Sequence, residues 1–426
     1  MRIILLLISI MLVAGNLSAA TARQRSKQVL NEVWNEVSRR HFNKNFKTKY
    51  QKLYKKFEPK ILKSTNDLEL SKEINKLLQA LGQSHIVLSP PLGASLSKAM
   101  STISKNIAPN KKAIKGKKPP PDLPADTGIS LSQTDNRICV TRVRKKSSGA
   151  RAGIKMGDVI LAINRITLHP EVKFHYDWPL IARALLSGQP ESEVTVKILN
   201  AKGETRTLSL KRQVNGEKWF KLGVLPRSYS DFYATVLPGR VGYVQFTAFT
   251  TPMLLHFRKA VITKLRNIKA LIIDMRGNVG GLLMYPPWLA AWCCPEVVHF
   301  GKLVIKGTTL KPKSSPQKKC FKGPIAILID NYSYSCAEIF AAGMQDAKQA
   351  KLFGTTSSGK CLPSMFFKLP CGFRLQTVTG DIRRMNGGKI EGVGVKPDEK
   401  VILSIKSLQN GKDNVIESAR KYLLKQ

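Results

Sequence analysis

Apolar residues recur along this chain with two different periods. Across residues 29–62 the spacing predicts helices, with Leu30, Val33, Trp34 and Val37 on one face and many lysines on the other. Leu70, Ile74, Leu77, Leu78 and Leu81 then share one helical stripe, opened by Asn66 and Glu69 as a cap and closed by Gly82. From Thr127 to about Arg212 the period shortens, and strands are expected at 128–131, 138–143, 159–163, 194–199 and 205–210. Beyond Arg240 the two kinds of run alternate: a strand at 241–246, a helix at 252–265, and buried strands at 270–275 and 325–329. A helix opens after Ser335 and carries Ile339, Phe340, Gly343 and Met344 at helical spacing. Alternation of this kind predicts an α/β core, preceded by a helical region and a β-rich insert.

Composition divides the chain further. Residues 98–124 carry Lys111, Lys112, Lys115, Lys117 and Lys118 and then Pro119 to Pro121, which reads as an extended linker. The resulting division is a leader at 1–20, a helical region at 21–97, the linker, a β-rich domain at 125–214 and a core at 215–426. In the leader, Arg2 precedes an apolar run over 3–14, and Ser18-Ala19-Ala20 supplies small residues for cleavage. That three-part pattern predicts an exported protein, periplasmic or secreted, with a retained anchor as the alternative.

Charge and cysteine usage narrow the partners. The 426 residues hold 70 Lys and Arg against 28 Asp and Glu, a net charge of +42. The basic residues are spread along the whole chain with no aromatic-interleaved motif, so no specific nucleic acid is expected. An anionic membrane or envelope surface fits the charge better. The seven cysteines contain no C-x-x-C pair, which argues against a zinc ribbon or a thioredoxin-type centre. No metal or organic cofactor is implied.

Candidate chemistry gathers at three places. Ser335 sits where a strand turns into a helix, and Ser335-Cys336-Ala337-Glu338 reads either as a capping box or as a nucleophile at a helix N-terminus, where free N–H groups can hold an oxyanion. Cys336 is a second candidate nucleophile. Residues 274–281, DMRGNVGG, form a glycine-rich turn after a strand, without the lysine of a phosphate-binding loop. Ser84 and His85 follow directly on a helix stop.

Residues 149–168, GARAGIKMGDVILAINRITL, resemble the PDZ domain at Ala152, Gly153, Gly157, Asp158 and Asn164. The resemblance implies peptide binding by strand addition, with Thr127, Gly128, Ile129 and Ser130 as the loop that holds a terminal carboxylate. Taken with the leader, ALIIDMRGNVGG and PIAILIDNYSYSCAEIFAAGMQD, the chain is similar to the tail-specific, C-terminal-processing serine peptidases and their tricorn-type relatives. That similarity implies a crotonase-like protease core and an exported serine endopeptidase acting on proteins or peptides through their C-termini. It implies Ser335 as nucleophile, and the N–H groups of Cys336 and Gly280 as the oxyanion hole. Asp274 and Arg276 are expected to be structural.

For the general base the resemblance offers two versions. One is Lys360 in a G-K pair, followed by the apolar Leu362, Met365 and Phe366. The other is His85 with Glu391, directly or through Ser84, the glutamate lying in IEGVGVKPD. A histidine is already suited to the task near pH 6.5, whereas a lysine must be desolvated to lose several units. Ser364 also stands where the lysine branch has glutamine. These points favour His85, whose pKa Glu391 is expected to raise. A catalytically silent peptide-binding protein on the same fold is the alternative.

Overall fold

Strongly apolar strands set the centre of the molecule, seen in a computed structural model that describes residues 2–91, 122–168, 177–221, 223–224, 227–306 and 308–426, with side chains from residue 21 onward. The leader's side chains and most of the expected linker lie outside the described residues. Three helices come first: α1 (Arg2–Arg40), α2 (Phe46–Ile61) and α3 (Asp67–Gln79), followed by the short strand β1 (Val87–Ser89). The expected cap of α3 is present, with the Asn66 side chain accepting from the Glu69 N–H at 3.0 Å.

The β-rich domain comprises β2 (Ala125–Asp126), β3 (Ile129–Thr134), β4 (Arg137–Val143), α4 (Ser148–Arg151), β5 (Val159–Ile163), β6 (Ile166–Thr167), α5 (Trp178–Leu186), β7 (Glu193–Leu199), β8 (Thr205–Lys211) and β9 (Gln213–Val214). Its sheet runs β3-β4-β5-β7-β8, so β3 is an edge strand, and α5 packs beside it. The alternating burial of β7 matches a sheet with one face on a core.

The core that follows contains β10 (Phe232–Leu237), β11 (Val241–Phe246), α6 (Thr251–Ile262), β12 (Ala270–Asp274), α7 (Tyr285–Cys293), β13 (Lys302–Ile305), β14 (Thr308–Leu310), β15 (Ile325–Ile329), α8 (Cys336–Asp346), β16 (Ala350–Gly354), β17 (Ser364–Lys368), β18 (Arg374–Val378), β19 (Gly380–Arg383), β20 (Glu399–Lys400), α9 (Ile405–Gln409) and α10 (Asn414–Leu423). The main sheet runs β10-β11-β12-β15-β16-β20, antiparallel at its first pair and parallel thereafter. Every residue of β12 and β15 is buried, as continuous apolar runs in a doubly covered parallel sheet require. Helices α6, α7 and α8 cover one face through Phe257, Leu289 and Phe340. Helices α9 and α10 cover the other through Leu408, Val415 and Ala419.

A separate small sheet, β1-β18-β17, joins the N-terminal helices to the core. Leu30, Val33, Ile74 and Leu78 pack there with Leu88, Leu362, Phe373, Leu375 and Val378. At roughly 1.5–3 kcal/mol for each fully buried large aliphatic or aromatic side chain, this cluster holds residues 84–89 firmly against the chain beyond residue 360.

Candidate active site

The chain leaves β15 through a tight elbow and enters α8 at Cys336. Between them Ser335 has φ 60° and ψ −123°, a conformation that costs a residue with a Cβ on the order of 1–3 kcal/mol and needs support from its surroundings. That support is explicit. Asp330 accepts from the N–H groups of Gly277 (2.9 Å) and Tyr332 (3.0 Å), and the Tyr334 N–H donates to the Asn278 carbonyl at 3.0 Å. The Ser335 N–H donates to the Lys360 carbonyl (2.8 Å) and to Glu338 Oε2 (3.1 Å). The carboxylate half of the capping box is therefore formed, and Glu338 does more than cap. Fully buried, it also accepts from Ser357 Oγ (2.6 Å), the Gly359 N–H (2.7 Å) and the Lys360 N–H (3.0 Å). Burial pushes its carboxyl up to about 7 against these donors.

The glycine turn after β12 packs against the elbow. A Cβ at Gly280 (φ +80°) would lie 2.5 Å from Ser335 Cβ and 2.9 Å from the Cys336 nitrogen, so only glycine fits. One expectation needs correcting here. The Gly280 N–H donates to Asn278 Oδ1 at 2.9 Å, because Asn278 is buried in the turn with its Nδ2 on the Phe246 carbonyl. Where the turn meets the elbow, the N–H groups of Gly281 and Cys336 make no hydrogen bond to the described residues. Arg276 and Asp274 hold the turn from below: Arg276 Nη2 lies 2.6 Å from Asp274 Oδ2 and 2.8 Å from Asp413 Oδ2, nearly all of it buried.

Ser84, His85 and Glu391 come together in one hydrogen-bonded chain. The Ser84 N–H donates to Glu391 Oε1 (2.8 Å), Ser84 Oγ lies 2.9 Å from Glu391 Oε2, and the same Oγ lies 2.7 Å from His85 Nδ1. A carboxylate only accepts, so the single Ser84 hydroxyl proton goes to Glu391. Ser84 Oγ must then accept from Nδ1–H, which leaves the lone pair on His85 Nε2. The Cys361 N–H donates to Glu391 Oε2 at 2.8 Å, next to the Lys360 carbonyl that receives the Ser335 N–H. Adjacent peptide units of residues 360 and 361 thus tie the serine elbow to the histidine chain, and no direct hydrogen bond joins His85 to Ser335. The expected upward shift of His85 is overturned: the ring keeps some solvent contact, yet burial pushes its pKa down to about 4, with Glu391 opposing and Lys360 reinforcing.

The two remaining candidates separate on burial. Lys360 is exposed, with Nζ 5.8 Å from the centre of the Tyr334 ring, and lacks the desolvation a lysine base requires. Cys336 is buried, its thiol donates to the Gly281 carbonyl at 3.2 Å, and burial pushes it up to about 12, which makes it an inert thiol. All seven cysteines are free.

Residues 240–401 match Peptidase family S41 and residues 125–211 match the PDZ domain. The S41 match spans the parallel strands of the main sheet, the glycine turn, the serine elbow and Glu391. It is 27% identical over 285 residues to carboxyl-terminal-processing peptidase 1, chloroplastic, of Arabidopsis thaliana, covering 64% of this chain and 54% of that one. The chain spans about half the length of the curated relatives it matches. Among solved structures it shares its fold with the photosystem II D1 C-terminal processing protease (TM-score 0.52, 18% identity, 90% of this chain and 97% of that one). The tricorn protease has the same fold (TM-score 0.54, 16% identity, 95% of this chain and 37% of that one).

The domain at residues 125–211 touches the elbow directly. The Tyr332 hydroxyl donates to Gln133 Oε1 on β3 (2.5 Å), and the Tyr334 hydroxyl to Asp177 Oδ2 at the cap of α5 (3.0 Å). The expected carboxylate loop is partly occupied from within: Asp126 Oδ1 accepts both from the Gly128 N–H (2.6 Å) and from Arg144 Nη2 (2.6 Å). Thr127 is fully buried, while Ile129 and Ser130 start the edge strand β3. Neither Asn278, Gly281 and the Ser357–Cys361 scaffold nor the two tyrosine contacts was read from the sequence. The asparagine and second glycine of DMRGNVGG were the only signal available for the turn.

Proposed function

We propose that the protein is an exported serine endopeptidase that hydrolyses proteins or peptides through an acyl-enzyme. Ser335 Oγ attacks the scissile carbonyl while His85 Nε2 takes its proton, and the N–H groups of Gly281 and Cys336 receive the oxyanion. His85, held by Ser84 and Glu391, returns the proton to the leaving amine, and the leaving segment departs. A water then gives a proton to His85 and its oxygen to the acyl carbon; the acyl–Oγ bond breaks, His85 returns the proton to Ser335 Oγ, and the product acid leaves. The observation that carries this reading is the Glu391–Ser84–His85 hydrogen-bond chain, whose proton count leaves a basic nitrogen on the histidine. The PDZ domain is proposed to present substrates by adding a strand to the free edge of β3. The leader pattern at 1–20 supports export, and the +42 charge supports association with an anionic envelope surface.

The deciding experiment compares the chain with Ser335→Ala on an unfolded protein substrate. The variant should lose hydrolysis while its melting temperature changes by only a few degrees, since the Glu338 bond is made by the Ser335 backbone N–H and survives the substitution. Turnover that survives the substitution removes Ser335 as nucleophile and leaves the silent binding protein or another residue.

A further inference from the structure

The backbone and the side chain of Lys360 do different things. Its carbonyl accepts from the Ser335 N–H and its N–H donates to Glu338, so the main chain is fixed beside the nucleophile. The side chain leaves this scaffold for solvent across the Tyr334 ring, and its ammonium forms no ion pair among the described residues. Its charge still reaches two neighbours, disfavouring the imidazolium of His85 and favouring the carboxylate of Asp177. Asp177 does not neutralise it at contact distance, because that carboxylate accepts from the Tyr334 hydroxyl and from the Leu180 N–H (3.2 Å) instead. An uncompensated cation therefore stands beside the elbow, on a residue whose backbone lies between Ser335 and the Glu391 that holds the His85 chain.

The His85 end of that scaffold has a defined meaning in the reaction. His85 must deliver its proton to the leaving amine, so the leaving segment of a bound peptide runs past His85. We propose that the Lys360 ammonium receives a carboxylate of the substrate's leaving segment, supplied by an Asp or Glu side chain or by a free C-terminus. This rests on the peptidase reading given above. Pairing also has a catalytic consequence. Burial and the Lys360 charge both resist protonation of His85, yet the transition state needs the imidazolium. A substrate carboxylate on Lys360 cancels one of those two oppositions as the proton moves. Acidic peptides should accordingly gain in kcat, and not in KM alone.

The test uses the full chain and a matched peptide series with Glu, Gln or Lys at the first and second positions after the cleaved bond, each as free acid and as amide. Wild type, Lys360→Gln and Lys360→Glu are compared, with Ser335→Ala as the blank and thermal melts to verify folding. Wild type should favour Glu over Gln by about two- to fivefold in kcat/KM, the scale of an exposed ion pair, and less at high salt. Lys360→Gln should erase the preference and Lys360→Glu should turn it toward Lys. The acid and amide arms tell a terminal carboxylate from a side chain. Equal kcat/KM for Glu, Gln, acid and amide peptides in wild type would overturn the inference while leaving the peptidase intact. So would an acid preference that survives Lys360→Gln, or a folded Lys360→Gln that hydrolyses nothing, which would make Lys360 the base. Absence of Ser335-dependent hydrolysis of any peptide would remove the peptidase reading itself.

Discussion

The imidazole of His85 has Glu391 on one side, through the Ser84 hydroxyl, and the charge of Lys360 on the other. A carboxylate neighbour alone would raise the pKa, as the motif suggested, but desolvation of the imidazolium is the larger effect and brings it down to about 4. A base must be unprotonated, so activity is lost as pH falls through this value, not through the usual 6.5 of a free histidine. The acid limb of kcat/KM, which reports the free enzyme, should therefore have its midpoint well below 6.5. Glu391→Gln should move that limb lower still and reduce turnover by orders of magnitude, because the imidazolium loses its partner and Ser84 can point its proton at Nδ1. A limb centred near 7 in the wild type would contradict the burial argument. The same reasoning explains why a low-pKa imidazole gains from a substrate that neutralises Lys360.

At the scale of elements, His85 depends on how β1 is seated. The Asn75 side chain of α3 donates to the Leu88 carbonyl and accepts from the Leu88 N–H, both at 2.8 Å, so one amide satisfies the outer edge of β1 three residues beyond His85. Asn75→Ala leaves both backbone groups unpaired in a partly buried position, and should lower stability by about 1–3 kcal/mol. If β1 also positions His85, kcat should fall while KM holds, and Asn75→Asp should rescue neither. An unchanged kcat in a destabilised variant would confine Asn75 to packing. The elements themselves were legible from periodicity: the stripe on α3, the continuous apolar runs of β12 and β15, and the short alternating strands of the PDZ domain all carry local signals. The serine elbow was legible as well, because a strand, a polar turn and S-x-x-E stand next to one another. What could not be read was long-range hydrogen-bond geometry. Whether Gly280 or Gly281 offers a free N–H depends on where the Asn278 amide turns. The role of Glu338 depends on a loop 19 to 22 residues away, and neither leaves a period in the sequence.

For the whole molecule, the site is assembled from residues 84–85, 280–281, 335–338, 357–361 and 391, so no single segment contains it. His85 follows α3, and the N-terminal helices with β1 supply most of the apolar cluster that packs on β17 and β18. Around this assembly the chain carries a net +42, distributed over all its regions. A field of that size says little about the fold but a good deal about encounter: acidic chains should be drawn in at rates raised by about tenfold or more at low salt. Screening sets the reach of that effect, since the Debye length shrinks to about 8 Å at physiological ionic strength. Turnover of an acidic unfolded protein should therefore fall steeply in kcat/KM as salt is added, whereas a short uncharged peptide should show a nearly flat response. Lys360→Gln separates this global field from the local subsite. Removing one charge of 70 basic residues leaves the salt slope for the long acidic substrate in place, while the positional preference for a carboxylate after the cleaved bond disappears. A wild-type salt response that is flat for both substrates would show that the net charge does not act in substrate capture.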